Sequence, residues 1–416
     1  MAITLVHFAD VHIGVETYGR PNPETGLNTR VEDFVRCLEF LVDRAIEGEV
    51  DLAVFSGDAY HTSSPSPTYQ REFAGQIRRL SRAGVPVVLV AGNHDTPGTF
   101  GRASSLDIFG TLEVEHTYVF TKPRLERVET CKGPVQIVGM PWPSRSWMLT
   151  REEYRKLLEE ELVGKMEEAY ARLLEGFARQ LDPDIPSVLA AHVMVRGAGL
   201  SGSERGAVVG RDPSLLPSVL ANSAFTYVAL GHVHRHQDLN RGGRPPLVYP
   251  GSIERINFGE EEERKGFCLV RLEREEGETI FGPWRAEYDF VEVPARPFVT
   301  VEVEVGDSEP TDAIVDAVRE RDLEGAVVRV LYRVREGKVL VDLGRVQRAL
   351  RERGVWKVAG IVPQVERPER RPRAQISREL DLKEALRRYV ESNPELKPLE
   401  EELVQYALRL EQELEE

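Results

Sequence analysis

Apolar segments that end in a side chain able to hold a metal ion recur along the first part of this chain. ITLVHFAD (3–10), VDLAVFSGD (50–58), VPVVLVAGNHD (85–95), PVQIVGMPW (134–142), PSVLAAHV (186–193) and TYVALGHVH (226–234) are short and rich in Val, Ile and Leu. Each reads as a buried strand. Five of the six finish on or beside a metal-binding type: Asp10 with His12, Asp58, Asn93, His192, and His232 with His234. Helical patterns separate several of them, over roughly 31–47, 68–83 and 151–180, with Gly84 as a stop for the second. Strand alternating with helix specifies an α/β layered domain. Parallel strands bring their C-terminal ends to one side of a sheet, and ligands bind in the crevice there. Residues far apart in sequence therefore converge on one patch.

The residue types narrow the chemistry. Oxygen donors together with imidazoles suit manganese, iron or zinc better than calcium. Two Asp and five neutral donors leave a centre of two divalent ions net positive, which an anionic phosphodiester requires. Two such ions about 3.5–4 Å apart clamp attacking and leaving oxygens and activate water at neutral pH. Six of the nine histidines (12, 61, 94, 192, 232 and 234) fall in these strand ends or their loops. Singly, the DxH at 10–12 and the GD at 57–58 are also compatible with ordinary turns. GNHD (92–95) is more specific, and GHVH (231–234) sets two imidazoles on one side of an extended segment. The concentration of motifs, rather than any one of them, points to a two-metal phosphoesterase.

A length of 416 residues suggests two or three domains. The net charge of −15 excludes a protein that grips nucleic acid over its whole surface, while allowing a local basic path. Cys37, Cys131 and Cys268 are scattered and form neither a disulfide framework nor a zinc knuckle, which fits a reducing cytosol. The sequence shows no signal-peptide pattern and no apolar stretch long enough to cross a bilayer. A second unit begins near Pro294. FVTVEVEV (298–305), AVVRVLYRV (326–334) and WKVAGIVPQVE (356–366) are its strands, with helices predicted over 312–321 and 341–354. RPERRPRA (367–374) is a Pro- and Arg-rich linker. Two amphipathic helices follow, one carrying Leu382, Leu386, Tyr389 and Val390, the other Leu399, Leu403, Tyr406, Leu410 and Leu414.

The motifs, in this order, resemble the calcineurin-like metallophosphoesterases, and within them the SbcD and Mre-eleven DNA repair nucleases. The matching pieces are FADVHIG (8–14), SGDAYHTSSPSP (56–67), AGNHDTP (91–97), AAHVMV (190–195), ALGHVHR (229–235) and VYPGSIERINFGE (248–260). The last carries no metal motif. With GDxxH and its SPSP run it sets the DNA nucleases apart from other members. The resemblance covers about the first 290 residues well and the next unit by topology only.

The resemblance implies an α/β fold: a layered, β-sandwich-type metallophosphoesterase domain flanked by helices over residues 1–290, a small α/β capping domain over 294–366 that contacts DNA, the linker, and a helical tail over 375–416. It implies two divalent ions, manganese being the usual one. Asp58 would bridge them, with Asp10, His12 and His234 completing one site and Asn93, His192 and His232 the other. His94 would stabilise the transition state and help protonate the leaving oxygen. Asp95 would hydrogen-bond His94 and orient it. His61 would lie near the DNA backbone and favour exonuclease action. The residues themselves also permit a packing role for His94, a turn role for Asp95 and a surface turn for His61. Arg255 would order the site or form a structural ion pair, and His7 would be structural. Arg20, Arg30, Arg102, Arg145, Arg196, Arg205, Arg235 and the 367–373 cluster could supply a basic track.

The implied partners are DNA ends, hairpins and single strands, a coiled-coil ATPase of the SbcC or Rad-fifty type on the tail helices, and a second copy of the chain through 68–80 and 103–109. No membrane partner is implied, and the location would be the cytoplasm at the nucleoid. The tail helices could instead pack back on this chain. The chain has no GxxxxGK[ST] run, so ATP hydrolysis would fall to the partner. The implied reaction is exonuclease cleavage of duplex ends 3′ to 5′ and endonuclease cleavage of single strands and hairpins in double-strand break repair. The competing activities are hydrolysis of small phosphoesters and a non-catalytic DNA-end scaffold.

Overall fold

The computed structural model describes residues 2–99, 101–145, 154, 157–202, 212–275, 282–305, 309–334, 340–365, 382–391 and 394–415. The predicted linker, Arg205 and the start of the 151–180 helix lie outside them.

The chain first lays down four parallel neighbours: β1 (Ile3–Phe8), β2 (Leu52–Phe55), β3 (Val87–Val90) and β4 (Thr117–Phe120). It then crosses to a second sheet through β5 (Arg124–Thr130), β6 (Gly133–Met140) and β7 (Ser187–His192). The short pair β8 (Met194–Val195) and β9 (Ser214–Leu215) stands apart. The second sheet is completed by β10 (Tyr227–Gly231), β11 (Gln237–Asp238) and β12 (Leu247–Tyr249). The chain returns to the first sheet with β13 (Gly266–Arg274) and β14 (Trp284–Glu292), antiparallel beside β1. The two six-stranded sheets have the orders β14-β13-β1-β2-β3-β4 and β11-β12-β10-β7-β6-β5. The strand ends predicted to share one sheet are thus divided between two.

Four layers explain why the strands read as continuous apolar runs. Leu52 and Val54 face the space between the sheets, where they join Leu5, Val88, Val188, Ala190 and Ala229. Their neighbours Ala53 and Phe55 face outward onto helices α1 (Thr29–Glu47) and α2 (Pro67–Arg82). Both faces are buried, so alternation disappears. α1 presents Phe34, Leu38, Leu41 and Ala45 to the sheet, an i, i+3, i+4 stripe. It starts where the Asn28 side chain accepts the Arg30 amide, and α2 starts at Ser66 with Pro67 at its first turn. The short α3 (Asp107–Thr111) closes this side. α4 (Glu159–Ala178) and α5 (Pro217–Leu220) cover the outer face of the second sheet through Tyr170, Leu174 and Leu220.

Beyond residue 294 a separate core forms. β15 (Phe298–Glu304), β16 (Val327–Val334) and β17 (Lys357–Val365) make a parallel three-stranded sheet. α6 (Pro310–Arg319) and α7 (Leu343–Glu352) bury Ile314, Val318, Val346 and Leu350 against it. This unit touches the sandwich through Phe258, Phe298 and Val327, flanked by Tyr18 and Trp356. Last come α8 (Leu382–Glu391) and α9 (Glu400–Glu415), which pack on one another and bury Val390 and Val404. Leu382, Tyr389, Leu399, Tyr406 and Leu410 stay exposed. The three cysteines are free thiols. Among the described residues no helix is long and apolar enough to cross a membrane.

Candidate metal centre

Asp10 and His12 lie just past β1, Asp58 past β2 and Asn93 past β3; His192 ends β7, and His232 and His234 follow β10. The first four come from one sheet and the last three from the other, so the seven side chains meet across the seam between the sheets.

The local backbone is bent to bring them there. Asp10, His12, Asp58 and His232 all adopt left-handed conformations, with φ of 52, 48, 62 and 104°. Each costs on the order of 1–3 kcal/mol. Close approach also dictates glycine at two loop positions. A Cβ on Gly92 would stand 2.1 Å from Asp58 Oδ1, and one on Gly57 would stand 2.3 Å from His192 Nδ1.

The donor atoms gather in two foci on either side of Asp58. In the first, ligating atoms of Asp10, His12 and His234 lie within 4.8 Å of one another, and His12 Nε2 is 3.0 Å from His234 Nε2. In the second, Asn93 Oδ1 lies 2.9 Å from His192 Nε2 and 3.0 Å from His232 Nδ1. Asp58 Oδ2 faces both, 3.7 Å from His12 Nε2 and 3.4 Å from His192 Nε2. Asp10 also reaches both, since it groups with Asp58 and His192 as well.

Hydrogen bonding shows that this arrangement suits cations. His192 Nδ1 donates to the Ser56 carbonyl at 2.7 Å, so neutral His192 turns a bare Nε2 lone pair toward the lone pairs of Asn93 Oδ1. His234 Nδ1 lies 3.0 Å from Glu260 Oε1, and donation there turns its bare Nε2 toward His12. Lone pairs set face to face repel unless a proton or a metal ion lies between them. The opposite ring nitrogens, His12 Nδ1 and His232 Nε2, are buried and have no partner among the described residues, so the ring nitrogens facing the foci are free to act as donors to an ion. The residues fit two divalent ions.

Without metal, protons take that role. Burial disfavours a charged His192, but the Asp58 and Asp10 carboxylates and the Ser56 carbonyl raise its pKa to about 9. Burial lifts Asp10 to about 7 despite His192 and His234. Burial opposes ionisation of Asp58 too, yet His192, His94 and His12 hold it far below the carboxylate range. Burial pushes His232 down to about 3, helped by His192.

His94 belongs to neither of these donor sets, although it and His61 bring ring nitrogens within 4.8 Å of His12. Its backbone N–H donates to Asp58 Oδ1 at 2.8 Å, and its Nδ1 is tied to the His61 carbonyl at 2.7 Å. Its ring lies 5.0 Å from that of His12 and stacks on His61 at 5.8 Å. A cleft of about 420 Å³ opens here, lined by Asn93, His94, Ser63, Trp142 and Arg145. His61 has an exposed surface, and partial desolvation of its ring and the neighbouring His94 lower its pKa.

Asp95 requires a correction. It does not hydrogen-bond His94. Its buried carboxylate accepts the backbone N–H groups of Asp58 (2.8 Å), Ala59 (3.0 Å) and Gly92 (3.0 Å). It therefore shapes the two loops that carry Asp58 and Asn93. Burial, then the Asp58 charge, raises its pKa to about 6. Arg255 is structural: its guanidinium donates to the carbonyls of Glu261, Glu263 and Arg296. His7 is buried between the sheets, 3.0 Å from the Tyr227 hydroxyl. Sequence reasoning missed Glu260, although it ends the VYPGSIERINFGE segment, and Trp142, whose ring lies 4.7 Å from His232.

Similarity to solved structures is distant. A dimetal phosphatase from Danio rerio shares 12% identity over 69% of this chain and 98% of that one, with a TM-score of 0.37. The protein TT1561 of Thermus thermophilus shares 14% over 65% and 94%, with a TM-score of 0.35. GAP50 of Plasmodium, described as the anchor in the inner membrane complex, shares 10% over 70% and 89%, with a TM-score of 0.33. Residues 3–236, more than half of the chain, fit the profile described as calcineurin-like phosphoesterase. The chain belongs to the calcineurin-like phosphoesterases.

Proposed function

We propose that this phosphoesterase is a manganese-dependent DNA nuclease of the SbcD and Mre-eleven type, acting 3′ to 5′ on duplex ends and endonucleolytically on single strands and hairpins. The observation that carries the reading is a two-focus donor set with His94 beside it at the head of an open cleft. The nuclease assignment is supported by VYPGSIERINFGE, which links the metal centre to the small α/β unit.

Asp10, His12 and His234 would hold one ion and Asn93, His192 and His232 the other, with Asp58 available to both. The ions, when bound, supply Lewis acidity and an activated water. His94, with Nδ1–H donated to the His61 carbonyl, offers Nε2 to the phosphodiester, and in its imidazolium form gives the Nε2 proton to the leaving oxygen as the P–O bond breaks. Asp95 keeps the Asp58 and Asn93 loops in register. His61 borders the path of the DNA backbone. The exposed apolar side chains of α8 and α9 suit a coiled-coil ATPase partner. α2 and α3, with Ile108 exposed, suit a second copy of the chain. A nucleoid location follows from these partners.

The test is cleavage of duplex and hairpin DNA with manganese, with and without the ATPase, beside a small chromogenic phosphodiester. Manganese-dependent DNA cleavage is expected. Hydrolysis of the small ester with none of DNA would overturn the nuclease reading.

A further inference from the structure

His234 differs from the other imidazoles of the centre in what holds it. His192 leans on a neutral carbonyl, and one ring nitrogen of His12 and one of His232 have no partner. His234 Nδ1 meets a carboxylate, Glu260 Oε1, at 3.0 Å. Glu260 Oε2 is itself fixed by Lys265 Nζ at 2.8 Å, the Ile256 N–H at 3.0 Å and the Ser252 hydroxyl at 3.3 Å. Lys265 Nζ also donates to the His234 carbonyl at 3.1 Å and to Ser252 Oγ at 2.8 Å. His234, Glu260 and Lys265 are all buried. A carboxylate behind a ligating imidazole sets its tautomer and orientation and raises its basicity.

Glu260 belongs to a single 3-10 turn, Phe258–Glu260, whose other side chain, Phe258, grips the small α/β unit. Phe258 meets the Phe298 ring at 5.0 Å and lies 4.4 Å from the Arg329 guanidinium. The next residue, Glu261, accepts both the backbone N–H and the hydroxyl of Thr300 at 2.5 Å. One short turn thus holds the metal centre on one side and the small unit on the other. Close packing leaves it little freedom to move at one end alone.

The geometry points to Glu260 as a positioning residue that aims His234 and passes the seating of the small α/β unit on to one of the two metal sites. This inference rests on the two-metal reading above. Glu260 touches no substrate. Its effect is exerted through His234.

The experiment is a manganese titration of the full chain by calorimetry, with metal analysis of the dialysed protein. Removing Glu260 alone leaves the buried Lys265 with Glu263 as its carboxylate partner, at 2.9 Å, and so lets Lys265 shift toward it; the informative variant is Glu260→Gln with Lys265→Met, alongside Glu260→Gln. Wild type is expected to bind two ions. The double variant should bind one as before and the other about 10–100-fold more weakly. Phe258→Ala, which leaves His234 and its partners in place, should weaken the same ion by a smaller factor. It should add nothing in the Glu260→Gln/Lys265→Met background, because the two act in series. Two ions bound with unchanged affinity by the folded double variant would overturn the positioning role and leave the metal centre standing. Independent, additive losses would overturn the link to the small unit. A wild type that binds no ion would overturn the two-metal reading, and this inference with it.

Discussion

His94 can be exchanged without removing a donor from either focus, because its bonds run to Asp58 through the backbone N–H and to the His61 carbonyl. His94→Ser should keep two ions per chain by metal analysis and lose about 10²–10⁴-fold in cleavage rate. Loss of an ion in that variant would make His94 a ligand. Asp95→Ala leaves three buried N–H groups without an acceptor, so unfolding of the metal-free protein should become easier by roughly 3 kcal/mol. Activity falling with no change in denaturant midpoint would contradict that. His7 gives a pH signature. Burial lowers its folded pKa to about 3 from 6.5, so protons prefer the unfolded chain. Its share of stability is complete above pH 6.5 and falls by about 1.4 kcal/mol per unit as pH drops toward 3. His7→Gln should flatten that part of the stability profile.

At the scale of elements, the loops after β2 and β3 are fitted to each other through Gly92 and Asp95. Gly92→Ala puts a methyl group against the Asp58 carboxylate. The fold should survive by circular dichroism, while manganese affinity drops at least tenfold, since Asp58 serves both foci. Much of this level was legible beforehand. Strand identity came from apolar runs, and the helices predicted over 31–47 and 68–83 fall within two residues of α1 and α2. The metal-binding side chains were visible because they interrupt apolar runs at fixed places. Two kinds of feature stayed hidden. β13 and β14 were not assigned as strands, though β14 alternates in burial along one edge of the sheet. The partners of Asp95 and Glu260 are set by backbone turns and by segments distant in sequence, so adjacency to His94 misdirected Asp95 and a gap of 26 residues concealed Glu260 from His234.

Across the whole molecule, the centre sits where the two sheets meet, and a second ionic cluster ties the sandwich to the small unit. Asp33 accepts both Arg30 (2.7 Å) and Arg296 (2.6 and 2.5 Å), and Arg296 also donates to the Gly325 carbonyl. Asp33→Ala leaves the buried Arg30 with only the Glu254 carboxylate, at 3.8 Å, and should destabilise the protein by about 3–5 kcal/mol, read by chemical denaturation. A chelator should lower the melting temperature and added manganese raise it, the shift growing with the logarithm of the free manganese concentration. The left-handed residues at the seam carry a final consequence. His12 and His232 combine unfavourable φ with a ring nitrogen held against another donor atom, His234 Nε2 and Asn93 Oδ1 respectively, so each is a local cost that bound metal would offset. The ranking of variants at these two positions should therefore depend on the medium. A screen for heat resistance run in chelator should favour Gly or Asn at 12 and 232, and the same screen in manganese should return histidine.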